Sequence, residues 1–212
     1  ISHVTFCDRA RRVARSRASG LRGFMSDGPD LNAAYGLEGP DASRTLYAEW
    51  AETYDTSFAA DMHYRAPQVV AKAYVKMAGA GAVLDLGAGT GLVGQELARR
   101  GIQDIHGTDI SPEMLQQAAQ KSVYARLFEG DLTARLGVED GFYAGVVSAG
   151  TFTHGHVGPD ALHEVLRCIA SGAWAVLSVN AAHWDALGFE QVLERLSPML
   201  SEWRKDAFAL YG

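Results

Sequence analysis

The stretch Val83-Leu-Asp-Leu-Gly-Ala-Gly-Thr-Gly91 constrains the fold of this chain more than any other part of the sequence. Its apolar first half is typical of a short, buried parallel strand. The three alternating glycines that follow permit positive φ and lack a Cβ, so the backbone can turn sharply and a ligand can approach it. Residues 92–100 have helical periodicity and end in two arginines before Gly101, which predicts a helix capped by that glycine. The sequence therefore predicts a strand, a glycine loop and a helix.

The glycine loop allows two interpretations. Gly89-x-Gly91-x-x-Gly94 satisfies the dinucleotide fingerprint, and Asp109 follows at the distance expected of a ribose-binding acid. Charge separates the two interpretations, because Asp85 lies two residues before the first glycine. A fixed carboxylate repels a diphosphate, whereas it attracts a ligand that carries an ammonium and a sulfonium. This favours S-adenosylmethionine over NAD as the ligand.

Two further acids follow predicted strands. Residues 105–109 form the second predicted strand, and Ser111-Pro112-Glu113 has the residues of a helix start. Asp131 follows a third predicted strand over residues 125–128. Ligands of open α/β sheets bind at the carboxyl ends of the strands. We therefore expect Asp109 to accept from the ribose hydroxyls and Asp131 from the adenine amino group.

Strands and helices alternate along the rest of the chain. A fourth strand is predicted over residues 142–148 and a fifth over residues 173–179, with helices over residues 159–170 and about 184–200. This alternation predicts right-handed βαβ crossovers. The expected fold is α/β, a doubly wound, mostly parallel sheet with helices on both faces.

The predicted domain organisation is a leader followed by one α/β domain. Residues 1–43 are expected to be a basic leader and a flexible entry segment without ordered structure. Residues 44–212 are expected to form the domain. Within it, N-terminal cap helices over residues 44–78 precede the core sheet of residues 82–212.

The motifs resemble those of a known family. Three segments resemble the first three motifs of the Rossmann-like (class I) S-adenosylmethionine-dependent methyltransferases. They are residues 83–91, residues 107–115 and Gly130-Asp-Leu132. Residues 146–157, with Tyr47-x-x-Trp50-Ala51 and Tyr54-Asp55 upstream, are similar to a narrower group, the Williams-Beuren-region methyltransferase-like proteins and their bacterial relatives.

The resemblance implies a methyltransferase that uses S-adenosylmethionine. The glycine loop would surround the methionine part of the cofactor, with Asp85 near its ammonium, while Tyr54 would close over the site. The predicted cofactor-binding residues are Tyr54, Asp85, Gly87, Ala88, Gly89, Thr90, Gly91, Asp109, Ile110, Met114, Asp131, Leu132 and Ser148. Members of this family usually finish with an antiparallel strand pair, and residues 203–211 have room for one strand only. The C-terminal strand pair is therefore predicted to be incomplete, either because a strand lies beyond Gly212 or because a sheet edge stays unpaired.

The loop after the fourth strand is expected to face the methyl acceptor. It contains His154 and His156, the candidates for a catalytic role. Three interpretations of this pair stay open: a general base with a pKa near neutrality, substrate positioning or ordinary loop polarity, and part of a metal site. No third metal-ligand motif accompanies them, so no metal is predicted. The same fold also allows an NAD-linked oxidoreductase or a non-catalytic binding module.

Composition and charge restrict the partners. The net charge of the 212-residue chain is −6, although residues 1–24 contain six arginines and one acidic residue. We expect Met25 to be the natural start, with an Arg-rich transit peptide as the alternative. The remainder of the chain is acidic, which argues against nucleic acid as the methyl acceptor, because phosphate binding needs basic patches. The expected acceptor is therefore a small molecule.

No apolar run approaches a membrane span, and two distant cysteines, Cys7 and Cys168, suit a reducing compartment. The predicted location is therefore cytoplasmic, and the oligomeric state is left open.

Overall fold

The computed structural model describes residues 2–7, 51, 64–77, 79–153 and 156–208. Its strands are β1 (Ser2–Cys7), β2 (Val83–Leu86), β3 (Ile105–Asp109), β4 (Arg126–Glu129), β5 (Tyr143–Phe152), β6 (Ile169–Val179) and β7 (Leu200–Asp206). Its helices are α1 (Ala66–Val75), α2 (Leu92–Arg99), α3 (Pro112–Gln120), α4 (Leu162–Cys168), α5 (Ala181–Leu187) and α6 (Phe189–Leu196), with single 3₁₀ turns at Pro159–Ala161 and Ser197–Met199.

The strands form one sheet in the order β4-β3-β2-β5-β6-β1-β7. Every strand pair in the described part of the chain is parallel. The chain runs outward from β2 to β4, returns to β5 beside β2, and continues to β6. The direction of winding therefore changes between β2 and β5, which is where open α/β sheets bind their ligands. The predicted doubly wound, mostly parallel sheet is confirmed.

Strand β2 lies at the centre of the sheet and is buried on both faces. Leu84 and Leu86 belong to the core that α4, α5 and α6 cover, whereas Val83 belongs to the core under α1 and α2. Because successive side chains of a strand point to opposite faces, Asp85 projects to the same face as Val83. A carboxylate is thus placed inside the α1 and α2 side of the molecule.

The start of α3 has the N-cap residue and the first-turn proline that the sequence predicts. The Ser111 hydroxyl accepts from the backbone N–H of Met114 at 3.2 Å, with Pro112 as the first helical residue. An N-cap side chain of this kind satisfies one of the backbone donors that a helix leaves unpaired. The helix start predicted from Ser-Pro-Glu is confirmed.

Several predicted boundaries are wrong. Strand β5 continues to Phe152, into the segment predicted as a loop, and α4 ends at Cys168 because β6 already begins at Ile169. The helix predicted over residues 184–200 is divided into α5 and α6 at Gly188, where φ is 66°. A left-handed residue ends a helix, so one periodic segment gives two elements.

The ends of the sheet also differ from the prediction. Residues 2–7 form β1 between β6 and β7, although the leader was expected to lack structure. These six residues carry no Asp, Glu, Lys or Arg and include β-branched and aromatic types that favour strands; the charge that suggested disorder begins at Asp8. The C-terminal strand, β7, pairs in parallel with β1, so the described residues contain no antiparallel C-terminal pair. Of the region predicted to form cap helices, residues 44–50, 52–63 and 78 lie outside the described residues, and α1 is the helix described within it. None of the described helices combines the length and the apolar character of a membrane span.

Two buried tyrosines differ in their hydrogen bonding. The Tyr74 ring lies against β5, where a Cβ at Gly145 would overlap its hydroxyl, and this hydroxyl has no hydrogen-bond partner within the described residues. The Tyr143 hydroxyl lies 3.1 Å from Nδ1 of His106. Burial raises the pKa of both tyrosines to about 12.

We therefore expect opposite effects from the same substitution at these two positions. Tyr74→Phe removes an unpaired buried hydroxyl and should raise the free energy of unfolding by up to about 1 kcal/mol, whereas Tyr143→Phe breaks a hydrogen bond and should lower it by about 1 kcal/mol. Urea unfolding of both variants measures the difference. A loss of stability in Tyr74→Phe as large as that in Tyr143→Phe would contradict the assignment.

Candidate functional site

A cavity opens at the carboxyl end of the central strands. Its walls are the loop after β2, the end of β3 with the start of α3, the turn after β4, the exit from β5 and the segment that leads into α1. The predicted cofactor-binding residues on this wall are Gly87, Ala88, Gly89, Thr90, Asp109, Ile110, Met114, Asp131 and Leu132. Residues that are far apart in the sequence therefore meet at the switch point of the sheet, as the strand order requires.

The glycine loop is attached to the end of β3 by two hydrogen bonds. The backbone N–H of Ala88 donates to the carbonyl of Thr108 at 2.9 Å, and that of Gly89 donates to Oδ2 of Asp109 at 2.8 Å. Gly89 has a φ of 54°, and a Cβ added there would meet nothing within 4 Å. The cavity therefore reaches the backbone of this glycine, and a ligand can lie directly against it.

Asp109 lies at the carboxyl end of β3 and faces several backbone donors. Its Oδ1 accepts from the N–H of Ser111 at 3.0 Å, while Oδ2 binds the glycine loop. Burial raises the pKa of Asp109, and the N–H groups of Ser111, Gly89 and Ile110 oppose this rise. A carboxylate accepts at about four lone-pair positions, so both oxygens keep capacity for further donors from a ligand.

The turn after β4 supplies a second carboxylate. Oδ1 of Asp131 accepts from both the N–H and the hydroxyl of Thr133, at 2.8 and 2.6 Å. The wall near the two carboxylates is apolar and is formed by Ile110, Met114 and Leu132. Apolar walls with a few fixed acceptors are typical of sites for small aromatic ligands.

Asp85 is not on the cavity wall, contrary to the expected contact with a ligand ammonium. It is 0% exposed, and its Oδ2 accepts from the Tyr124 hydroxyl at 2.7 Å. Burial raises the pKa of Asp85 to about 7, and the Tyr124 hydrogen bond opposes the rise. The carboxylate lies beneath the glycine loop because β2 turns it toward α2. Any effect on a ligand is therefore electrostatic.

Two other predicted residues also lie behind the wall. The Ser148 hydroxyl is buried and donates to the carbonyl of Leu86 at 2.7 Å, and the Thr151 hydroxyl donates to the same carbonyl at 3.1 Å. Gly91 is covered, since a Cβ there would lie 3.0 Å from the Tyr124 ring. Ser148 and Gly91 therefore shape the site from behind.

The part of the cavity near the exit from β5 is lined by polar and aromatic side chains. His156 and Thr151 lie on this wall, together with Tyr64, whose hydroxyl would be 2.7 Å from a Cβ at Gly150. The other histidine candidate, His154, and the predicted lid residue Tyr54 lie outside the described residues. No group of three or more His, Cys, Asp or Glu able to hold a metal ion occurs among the residues that are described, and the role of the histidines stays a prediction.

Two tyrosines at or near the site, Tyr64 and Tyr124, are not among the residues predicted from the sequence. Tyr64 lies two residues before the start of α1, and its position depends on where α1 packs. Tyr124 precedes β4 and lies close to Gly91, Gly94 and Gly107. The glycines were visible in the sequence, but only the fold shows that they surround one ring. Gly94, the third glycine of the dinucleotide pattern, thus makes room for a tyrosine.

The sheet, its switch-point cavity and the glycine loop define a Rossmann-like α/β domain with a ligand site. Residues 83–172 match the family described as a methyltransferase domain. Human methyltransferase-like protein 27 is 34% identical over 178 residues, which cover 78% of this chain and 70% of that protein. A TehB-like S-adenosylmethionine-dependent methyltransferase from Corynebacterium glutamicum is 29% identical with a TM-score of 0.56, covering 69% of this chain and 82% of the other.

The chain belongs to the S-adenosylmethionine-dependent methyltransferases, and its cofactor is S-adenosylmethionine. The cavity agrees with this cofactor, because open space faces Gly89 and two carboxylates border an apolar wall. A structure from Methanococcus maripaludis, described as a methyltransferase of the same cofactor class, shares the fold at 21% identity with a TM-score of 0.50 and 74% coverage of both chains. The resemblance seen in the sequence motifs is confirmed at the level of the family.

Substitution of two neighbouring loop glycines should have different effects. At Gly87, where φ is 65°, a Cβ would overlap Oγ1 of Thr151, whereas at Gly89 it would enter the open cavity. Gly89→Ala should cost about 1–2 kcal/mol of left-handed strain and block the cofactor, and Gly87→Ala should destabilise the fold further. Urea unfolding and calorimetric titration with S-adenosylmethionine separate the two effects. Equal stability of the two variants would contradict the Thr151 contact.

Proposed function

We propose that the protein transfers a methyl group in line from S-adenosylmethionine to a small-molecule acceptor. The observation that carries the proposal is the charge of the cavity wall. Two carboxylates, Asp109 and Asp131, lie on it, and the described residues of this wall include no Lys or Arg. A wall of this charge suits a cationic cofactor and disfavours a phosphate backbone.

The proposed cofactor position follows the wall from the loop to the turn after β4. The methionine part lies along residues 87–91, above the buried carboxyl group of Asp85. The ribose hydroxyls donate to Asp109. The adenine ring lies against Ile110, Met114 and Leu132, with its amino group donating to Asp131. Tyr54 closes the site in this proposal, as the family resemblance implies.

The acceptor is proposed to enter at the Tyr64 and Thr151 side of the cavity. When bound, the cofactor supplies a methyl group on a cationic sulfur, so the protein mainly has to align the two reactants. Alignment of this kind corresponds to effective molarities of about 10⁵ M or more. Thr151 is held by the Leu86 carbonyl, which keeps this wall in a fixed position. For an acceptor that must lose a proton, His156 is the group within the described wall that is proposed to receive it.

The dinucleotide alternative has less support. A diphosphate against residues 87–91 would lie above the Asp85 carboxylate, which repels it when ionised. Gly94, which a dinucleotide site needs for helix packing, is here covered by the Tyr124 ring. A cytoplasmic location remains a prediction based on the two cysteines, and nucleic acid is not expected as the acceptor.

The proposed activity is tested by a screen of metabolite pools for methyl incorporation. The protein is incubated with S-adenosylmethionine and fractionated pools, and formation of S-adenosylhomocysteine is followed by mass spectrometry. Gly89→Ala serves as the control, because its methyl group should exclude the cofactor. A small methylated product formed only by the wild type supports the proposal. Methylation of nucleic acid or protein in its place, or a rise in melting temperature with NAD but not with S-adenosylmethionine, would contradict it.

Removal of the Asp109 carboxylate should weaken cofactor binding. Asp109→Ala removes hydrogen bonds to a charged group, so binding of S-adenosylmethionine should lose roughly 1.5–3 kcal/mol. Asp185→Ala is the matched control, because Asp185 is an exposed acid on α5 and its loss changes the net charge equally. Calorimetric titration compares both variants with the wild type. Unchanged affinity in Asp109→Ala would rule out the ribose role.

A further inference from the structure

A tyrosine outside the cavity occupies a slot that is formed by three glycines. The ring of Tyr124 lies between α2 and β3, just before β4. A Cβ at Gly94 would overlap the Tyr124 hydroxyl, and one at Gly107 or Gly91 would lie 2.9 or 3.0 Å from its ring. Real Cβ atoms rarely approach neighbours this closely, so a larger residue at any of the three positions would displace the ring.

The hydroxyl of this tyrosine is directed at the buried carboxylate of β2. It donates to Oδ2 of Asp85 at 2.7 Å, and Oδ1 has no hydrogen-bond partner within the described residues. Asp85 is 0% exposed, so water does not replace a lost donor. Hydrogen bonds to charged groups are among the strongest in proteins. The Tyr124 hydroxyl is therefore the side-chain donor that stabilises ionised Asp85.

We propose that Tyr124 is a positioning residue for methyl transfer, because its hydroxyl holds the Asp85 carboxylate beneath the glycine loop as a fixed charge for the cationic methionine part of the cofactor. The inference rests on the proposed cofactor position. Tyr124 does not line the cavity, so it acts on the cofactor through Asp85. Its expected effect therefore depends on whether Asp85 is ionised.

The groups that face Asp85 determine when it carries its charge. Burial raises the pKa of Asp85 to about 7; the Tyr124 hydroxyl lowers it and the Asp109 charge raises it. Helix α2 contributes the backbone of Gly94, which also lowers the pKa of Asp85. The residues paired with Asp85 on the neighbouring strands are Gly107 on β3 and Val147 on β5, and neither can carry a charge. Only ionised Asp85 attracts a cation, so cofactor affinity should rise as the pH increases through the pKa of Asp85. Without the Tyr124 hydroxyl, the pKa of Asp85 should increase. The pH at which cofactor affinity rises should then increase as well.

The experiment is a series of calorimetric titrations of S-adenosylmethionine into the full chain. The wild type, Tyr124→Phe, Asp85→Asn and the double variant are compared over roughly pH 5.5–9, which includes the titration of the α-amino group of the ligand. Tyr124→Phe keeps the ring in its slot and removes only the hydroxyl. Its pH midpoint should lie about one unit above that of the wild type, so the loss of affinity is largest near neutrality and disappears at high pH.

The Asp85 variants identify the titrating group. Asp85→Asn should remove this part of the pH dependence, and in that background Tyr124→Phe should have no further effect. The ligand ammonium and Asp109 are present in every variant. Their effects on the pH dependence of affinity therefore cancel when two variants are compared. Tyr143→Phe is the matched control, since it also removes a hydroxyl from a buried tyrosine. It should lower stability and leave the pH midpoint unchanged.

The outcomes distinguish this inference from the proposed function. If folded Tyr124→Phe has the wild-type pH midpoint, Tyr124 is not a positioning residue, while the proposed function stands. If Asp85→Asn does not fold, the pH midpoints of Tyr124→Phe and Tyr143→Phe are compared. A midpoint raised in Tyr124→Phe and unchanged in Tyr143→Phe then supports the role of Tyr124, and equal midpoints contradict it. Failure of the wild type to bind S-adenosylmethionine at any pH would overturn both proposals.

Discussion

The attachment of the glycine loop to the end of β3 is the constraint on which the site depends. A loop with glycines at positions 87, 89 and 91 has many backbone conformations. Two N–H groups select one of them, because Ala88 donates to a β3 carbonyl and Gly89 to the Asp109 carboxylate. In this conformation the backbone of Gly89 faces the cavity. The acid proposed to bind the ribose therefore also fixes the loop that is proposed to bind the methionine part.

Much of the fold could be predicted because its signals are local. The buried run of β2, the glycines after it and the Ser-Pro-Glu start of α3 each specify a local geometry. One boundary that was wrong depends on a distant part of the chain, because strand β5 reaches Phe152 where β6 continues beside it. The break at Gly188 is local, because the positive φ of this glycine ends a helix within an otherwise helical pattern. The pairing of β1 with β6 joins segments more than 160 residues apart, which no local periodicity reveals.

The candidate site could be predicted in part for the same reason. Asp109 and Asp131 follow predicted strands, so their meeting at one edge follows from parallel topology. The place of Asp85 could not be predicted, because a strand buried on both faces has no alternation of polar and apolar residues to show where each side chain points. Tyr124 could not be predicted either, because its slot exists only where α2 and β3 come together.

One backbone carbonyl joins the two halves of the proposed reaction site. The carbonyl of Leu86, directly before the glycine loop, accepts from the hydroxyls of Ser148 and Thr151 on β5. The proposed cofactor wall and the proposed acceptor wall are thereby attached to the same atom, so we expect a displacement of one wall to move the other with it. On the proposed function, the distance between the two reactants would then change little as the sheet fluctuates, and less reorganisation would be needed at the moment of transfer.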